Sequence, residues 1–287
     1  MPYFFLGTGI FSTAEVKAEE NNLHVVNVKT GENKEYELEK EAESNLDIHI
    51  PPRKSMLSEA VETFNPGIDP LTVFGKDDRI LVKNVSLYPY TATARLTVTY
   101  QDGSVSYGSG FMVGPKLLAT AGHMLINKSN SHMKDVVIEF GLYKEGNYFY
   151  RTKKFTQYIY YGGYSGYDPY TDYGFIVLSS RVGTNVTGTF GIDPNIAVGR
   201  TVSVSGYPGG NPYMYVANGK MLAVEDDLLT YDADMTPGES GGPVYYLTAD
   251  RDAYAVGINS GENNICNYGR RLNASLMGWL AENGYFK

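Results

Sequence analysis

One cysteine, Cys266, stands among 287 residues, so no disulfide can close within the chain. No histidine neighbours it as the partner of a thiol nucleophile would, and it reads as a packed or unpaired thiol. Basic residues are outnumbered by acids, 24 to 32, and the net charge of −8 argues against a nucleic-acid binder, which would present a basic face. No segment is long and apolar enough to span a bilayer. Glycines abound, but GGYSGY lacks the lysine and helix start of a phosphate-cradling loop. The acids around Asp168 and Asp172 lack the spacing of a dedicated calcium loop. The residues point to no cofactor and no metal.

Long stretches of helical period are also scarce. Runs such as ARLTVTY and RTVSVSGY alternate with the two-residue period of half-buried strands, separated by Gly, Asn and Asp turns. The expectation is a mostly β protein. One helix is predicted at the end, in NASLMGWLAENG over residues 273–284. Asn273 is its N-cap, Leu276, Trp279 and Leu280 form one face, and Gly284 is the stop.

The beginning differs in texture. PYFFLGTGIFSTA, within residues 1–14, has the apolar and small-residue parts of a secretory signal without its basic start. Residues 15–71 include the charged run VKTGENKEYELEKEAESN and end in FNPGIDPL, a proline- and glycine-punctuated linker. This stretch reads as a removable leader or solvated arm, with the compact domain occupying residues 72–287.

TPGESGGPVY sets Ser240 between glycines, and the bare pattern G-x-S-x-G also describes an α/β-hydrolase nucleophile elbow. A serine hydroxyl needs a base, most often histidine. His24, His49, His123 and His132 all precede Ser240, whereas an α/β-hydrolase needs its histidine after the serine. That class is excluded. His24 and His49 lie in the leader, and His132 sits in the polar stretch NKSNSHMKD, where a solvated surface residue is expected. His123 ends GSGFMVGPKLLATAGHML, where a strand runs into a small-residue corner. The acid that orients it is expected at Asp172, directly before the apolar strand of TDYGFIVL. Asp168, followed by proline, reads as a turn residue. The order Asp, His, Ser through Asp77, Asp78 or Asp102 would require a helix-rich domain. The favoured order is His, Asp, Ser, that of chymotrypsin.

ATAGH, DYGFIVL and GESGGP together resemble the chymotrypsin clan, and TVFGKDDRILVKN with YPYTA, SGYPGG and VGINSG resembles the secreted bacterial glutamyl endopeptidases. The likeness runs from about Thr72 to the C-terminus. It implies two six-stranded antiparallel β-barrels, about 72–190 and 191–272, with the active site between them. It further implies a secreted, extracellular, monomeric serine endopeptidase made as a zymogen, its propeptide an intramolecular inhibitor and a protein or peptide its substrate. Gly238 and Ser240 would supply oxyanion-hole amides, and Ser260 to Glu262 would pair with the substrate backbone. The family's pocket histidine and threonine fall at Asn259 and Met235, so the match breaks there. Asp234 aligns with the base of the trypsin pocket. In activated relatives an acid before the nucleophile pairs with a newly cut N-terminus. Cleavage at Leu71–Thr72 is therefore expected to free an amino group for Glu239, which would lack a partner until then. The rival reading is a catalytically silent binding or adhesion protein on the same double barrel.

Overall fold

The structure is a computed structural model and describes residues 22–38, 49–54, 77–144, 146–164, 168–262 and 266–287. Leu71 and Thr72, and residues 1–14, lie outside the described residues. In chain order the strands are β1 (Asn22–Asn27), β2 (Asn33–Glu37), β3 (Ile80–Leu81), β4 (Thr93–Tyr100), β5 (Val105–Met112) and β6 (Leu117–Thr120). There follow β7 (Met133–Phe140), β8 (Tyr150–Thr152), β9 (Phe155–Tyr161), β10 (Gly174–Leu178), β11 (Gly191–Ile192) and β12 (Thr201–Gly206). The chain finishes with β13 (Tyr215–Val224), β14 (Leu228–Tyr231), β15 (Pro243–Leu247), β16 (Ala253–Glu262), β17 (Asn267–Arg271) and the helix α1 (Ala274–Glu282).

Two sheets account for all of these strands. In the second, β16-β15-β12-β13-β14-β17 closes on itself, because β16 also pairs with β17. In the first, the order is β2-β1-β9-β10-β6-β5-β4-β7-β8. Only two residues separate β8 from β9, so one bent stretch of chain pairs with β7 through its first part and with β10 through its second. The bend brings the sheet round into the other barrel. Asn273 caps α1 as read from the sequence, its side chain accepting from the Leu276 amide at 3.0 Å. Leu276, Met277 and Leu280 pack into the core of the first barrel.

Two expectations are corrected. Residues 22–38 are not a solvated arm: β1 and β2 form a hairpin, and β1 pairs with β9 from Leu23↔Tyr161 to Asn27↔Gln157. Leu23, Val25 and Leu38 are buried in the first core, because the alternation in NLHVVN presents leucine and valine to one face. The start of the compact domain does not belong to the first barrel either. Ile80 and Leu81 pair with Val216 and Tyr215 of β13, in the second.

Candidate active site

Antiparallel register explains how distant residues meet. Gly174 of β10 stands opposite Thr120 of β6, so the residues just after β6 and just before β10 emerge at the same end of the first barrel. After β6 the chain turns through Gly122–Met124, carrying His123, and Asp172 precedes β10. The fit is tight at Gly122, where a Cβ would lie 3.1 Å from the Tyr173 amide and 3.2 Å from Asp172 Oδ1. In the second barrel, Pro243 of β15 stands opposite Ile258 of β16, which brings the turn ending in Ser240 beside Ser260.

Asp172 is buried and accepts three hydrogen bonds. Its Oδ1 receives the His123 amide at 2.8 Å, and its Oδ2 receives His123 Nδ1 at 2.9 Å and the Ser260 hydroxyl. Nδ1 must carry the proton to donate, which leaves Nε2 as an acceptor. Burial alone would push the Asp172 carboxyl up, but His123, Ser260 and the His123 amide outweigh it and hold it below its ordinary value. Burial disfavours the His123 imidazolium, yet the adjacent carboxylate prevails and raises its pKa. The Tyr100 hydroxyl fixes the His123 carbonyl at 2.7 Å.

The Ser240 hydroxyl donates to the Ser260 carbonyl at 3.3 Å. Its loop is held by two glycines with positive φ, Gly238 at 100° and Gly241 at 85°. A Cβ on Gly241 would meet the Ser109 carbonyl at 2.2 Å, so only glycine lets the loop approach the first barrel. Ser109 is the tether: its amide donates to the Ser240 carbonyl at 2.8 Å and its hydroxyl to the Gly238 carbonyl at 2.9 Å. Sequence reasoning passed over Ser109, which lies in GSGF, a stretch read only as strand. The Pro237 carbonyl accepts from the Gly209 amide at 2.6 Å, so the Gly238 N–H on that planar peptide faces the other way. Among the described residues, neither the Gly238 nor the Ser240 amide donates to a protein acceptor.

The other residues singled out from sequence are placed as follows. Asp234 and Met235 are buried, and Asp234 accepts from the Asp78 amide at 3.1 Å. Asn259 is fully buried with both ends of its amide engaged, donating to the Glu239 carbonyl at 3.0 Å and accepting from the Tyr231 hydroxyl at 2.5 Å. Asn259 exchanges backbone hydrogen bonds with Gly241 and Gly242, and beyond it Ser260 to Glu262 have no ladder partner on the β15 side among the described residues. Glu262 is half-buried, and its Oε2 has no hydrogen-bond partner among the described residues. Asp168 accepts from the Tyr170 amide at 3.0 Å, as a turn residue does. His132 departs from its expected solvated setting, being half-buried with Nδ1 3.2 Å from the Tyr158 hydroxyl.

Glu239 also departs from expectation. Its carboxylate is not awaiting a cation: Arg79 Nη1 lies 3.2 Å from Oε2, and both side chains are almost wholly buried. No sequence pattern signals a partner 160 residues away.

Residues 108–258 match a family described as trypsin-like peptidase domain. The chain belongs to the trypsin-like peptidase family. The chain is 33% identical over 186 residues to a glutamyl endopeptidase of Bacillus licheniformis, covering 63% of this chain and 56% of that protein. It is 28% identical over 220 residues to an extracellular metalloprotease of Bacillus subtilis, covering 71% of this chain and 67% of that one. Among solved structures, a Glu endopeptidase in complex with MPD matches at a TM-score of 0.63 and 23% identity, covering 74% of this chain and 99% of that one. The protease Anisep from Arthrobacter nicotinovorans matches at 0.51 and 20%, covering 66% and 94%. At such identities the structural likeness speaks for the double-barrel fold.

Proposed function

We propose that the chain is a secreted serine endopeptidase made as a zymogen, with Ser240, His123 and Asp172 as its triad. The observation that carries the reading is the union of His123 Nδ1 bonded at 2.9 Å to a buried Asp172 with two amides flanking Glu239 that have no acceptor among the described residues. The mechanism requires the Ser240 side chain to turn away from the Ser260 carbonyl, to which it now donates, and bring its hydroxyl to Nε2. Catalytic hydrogen bonds are often unformed without substrate, so its present direction is compatible with that role. Nε2 takes the proton as Oγ bonds to the scissile carbonyl carbon, and the amides of Gly238 and Ser240 receive the negative oxygen. The C–N bond then breaks, the imidazolium returns the proton to the leaving amine, and water releases the acyl group by the same steps in reverse. Each oxyanion donor contributes roughly 10²- to 10³-fold in rate.

A peptide strand laid along the open edge of Ser260 to Glu262 would present its carbonyl to Ser240. The extracellular name of the Bacillus subtilis relative supports secretion. Cleavage at Leu71–Thr72 would separate the hairpin-bearing leader from the rest of the chain. A fluorophosphonate probe tests the chemistry. We expect it to phosphonylate Ser240, with labelling lost in Ser240→Ala and in His123→Ala. A folded, processed chain that stays unlabelled would make it a binding protein.

A further inference from the structure

The loop from Thr236 to Ser240 is closed by a side chain. Glu239 folds back so that Oε2 accepts the Thr236 amide at 2.6 Å and the Thr236 hydroxyl at 3.1 Å, while the Glu239 amide donates to the Thr236 carbonyl at 3.1 Å. The residues spanned are Pro237 and Gly238, so this ring of hydrogen bonds fixes the peptide bearing the Gly238 N–H. A carboxylate this deeply buried is tolerated only with a counter-charge. Arg79 supplies it: Nη1 reaches Glu239 Oε2 and also the Thr236 hydroxyl. The guanidinium is itself held in place. Its Nε and Nη2 donate to the two oxygens of Asp77 at 3.0 and 2.9 Å, and its carbon lies 5.7 Å from the centre of the Tyr215 ring. Directly after it, β3 pairs with β13, and directly before it the Asp78 amide is fixed on Asp234.

Resting on the triad reading above, we infer that Arg79 is the internal cation that holds Glu239 and thereby aims the Gly238 amide at the oxyanion. Arg79 is a positioning residue, and the amide needs no α-amino group freed by cleavage to be set. A misformed oxyanion hole would then not be the cause of the precursor's latency. Burial outweighs Arg79, the Thr236 amide and the Thr236 hydroxyl, which pull the other way, and leaves the Glu239 carboxyl raised to about 7. Loss of the cation would leave a neutral acid without the charge that closes the ring.

The two possible partners of Glu239 differ in how they titrate. An α-amino group has a reference pKa of about 8 and loses its charge in mildly alkaline solution, whereas a guanidinium keeps its charge above pH 12. The test measures kcat and KM on a small ester substrate from pH 6 to pH 10.5 for the processed wild-type enzyme, Arg79→Lys and Arg79→Gln, with melting temperatures alongside. Wild type should keep its kcat to the top of that range. Arg79→Gln should lose about 10²-fold or more in kcat with little change in KM, the scale of one oxyanion donor. Arg79→Lys should recover much of that loss at pH 8 and acquire an alkaline limb below about pH 10.5, where an ammonium deprotonates. A purely structural arginine would lower the melting temperature without introducing that limb. A wild-type limb near pH 8 that Arg79→Lys leaves in place overturns the inference, as does unchanged kcat in folded Arg79→Gln. If Arg79→Gln fails to fold, the lysine variant's pH profile decides alone. Wild type that a fluorophosphonate cannot label at Ser240 removes the underlying triad reading instead.

Discussion

Asp172 carries two duties that can be separated by changing one atom. As a carboxylate it raises the basicity of His123, and as a double acceptor it holds the imidazole and the backbone behind it. Asp172→Asn keeps the shape but replaces one acceptor with a donor, which favours the wrong histidine tautomer. In a trypsin-fold triad this lowers kcat by about 10⁴-fold. The pH profile should move as well. His123 must be neutral to accept the serine proton, and its raised pKa sets the acid limb of kcat/KM above the ordinary histidine value. Without the carboxylate, burial is the main remaining influence and it favours the neutral ring. The limb of Asp172→Asn should therefore move to lower pH while the plateau falls. A plateau that falls with no movement of the limb would show that the carboxylate does not govern the base.

The N-terminal hairpin shows what one element contributes and why it was misread. VKTGENKEYE is charged enough to pass for solvated chain, and that charge masked the alternation of Leu23 and Val25 in the strand before it. The turn signal was present in Gly31, which has φ 69°. What sequence could not supply was the partner, because β9 lies about 130 residues downstream and its edge becomes available only once the barrel has formed. Hydrogen bonds from the described residues among 22–54 run to both halves of the fold: β1 to β9, Ile50 to Ile192, Arg53 to Thr189 and Lys54 to Asp250. The proposed triad residues His123, Asp172 and Ser240 stand out in the sequence because glycine-flanked corners leave local marks, whereas Arg79 and Ser109 make contacts with no local mark. Leu23 is fully buried. We expect Leu23→Ala to destabilise the full chain by about 2–5 kcal/mol, the range for removing a buried leucine side chain. Chemical denaturation checks this. An unchanged midpoint would mean that β1 is a passenger on the barrel and not part of its core.

Across the whole molecule, the two barrels are joined where they would react. Ser109 of the first tethers the loop of the second, Ser260 of the second steadies Asp172, and the Arg95 guanidinium donates to the Gly210 carbonyl at 2.8 Å. The core of the first barrel also takes in Tyr245, Ile258 and α1 from the other half of the chain. The charge of this assembly bears on what it would accept. Residues 72–287 hold 18 basic and 19 acidic residues, nearly balanced, so the local charges decide, and none of the residues placed at the pocket from sequence, Asp234, Met235, Asn259, Ser260 and Glu262, is cationic. Arg79 is engaged by Asp77 and Glu239, and the Asn259 amide is committed at both ends. A substrate carboxylate entering here would lose its water without gaining a positive partner, at a cost of several kcal/mol. Peptides with glutamate before the scissile bond should accordingly be cleaved with kcat/KM about 10²-fold or more below those with lysine or a neutral side chain, since each 1.4 kcal/mol is a factor of ten. The advantage of lysine over a neutral residue should shrink as salt is raised from 0.01 to 0.15 M, where the screening length falls from about 30 Å to about 8 Å. Cleavage profiling of a mixed peptide library at both salt concentrations measures this. A library in which glutamate ranks first would mean that a cation reaches the pocket from residues outside this set, and the charge argument would fail with it.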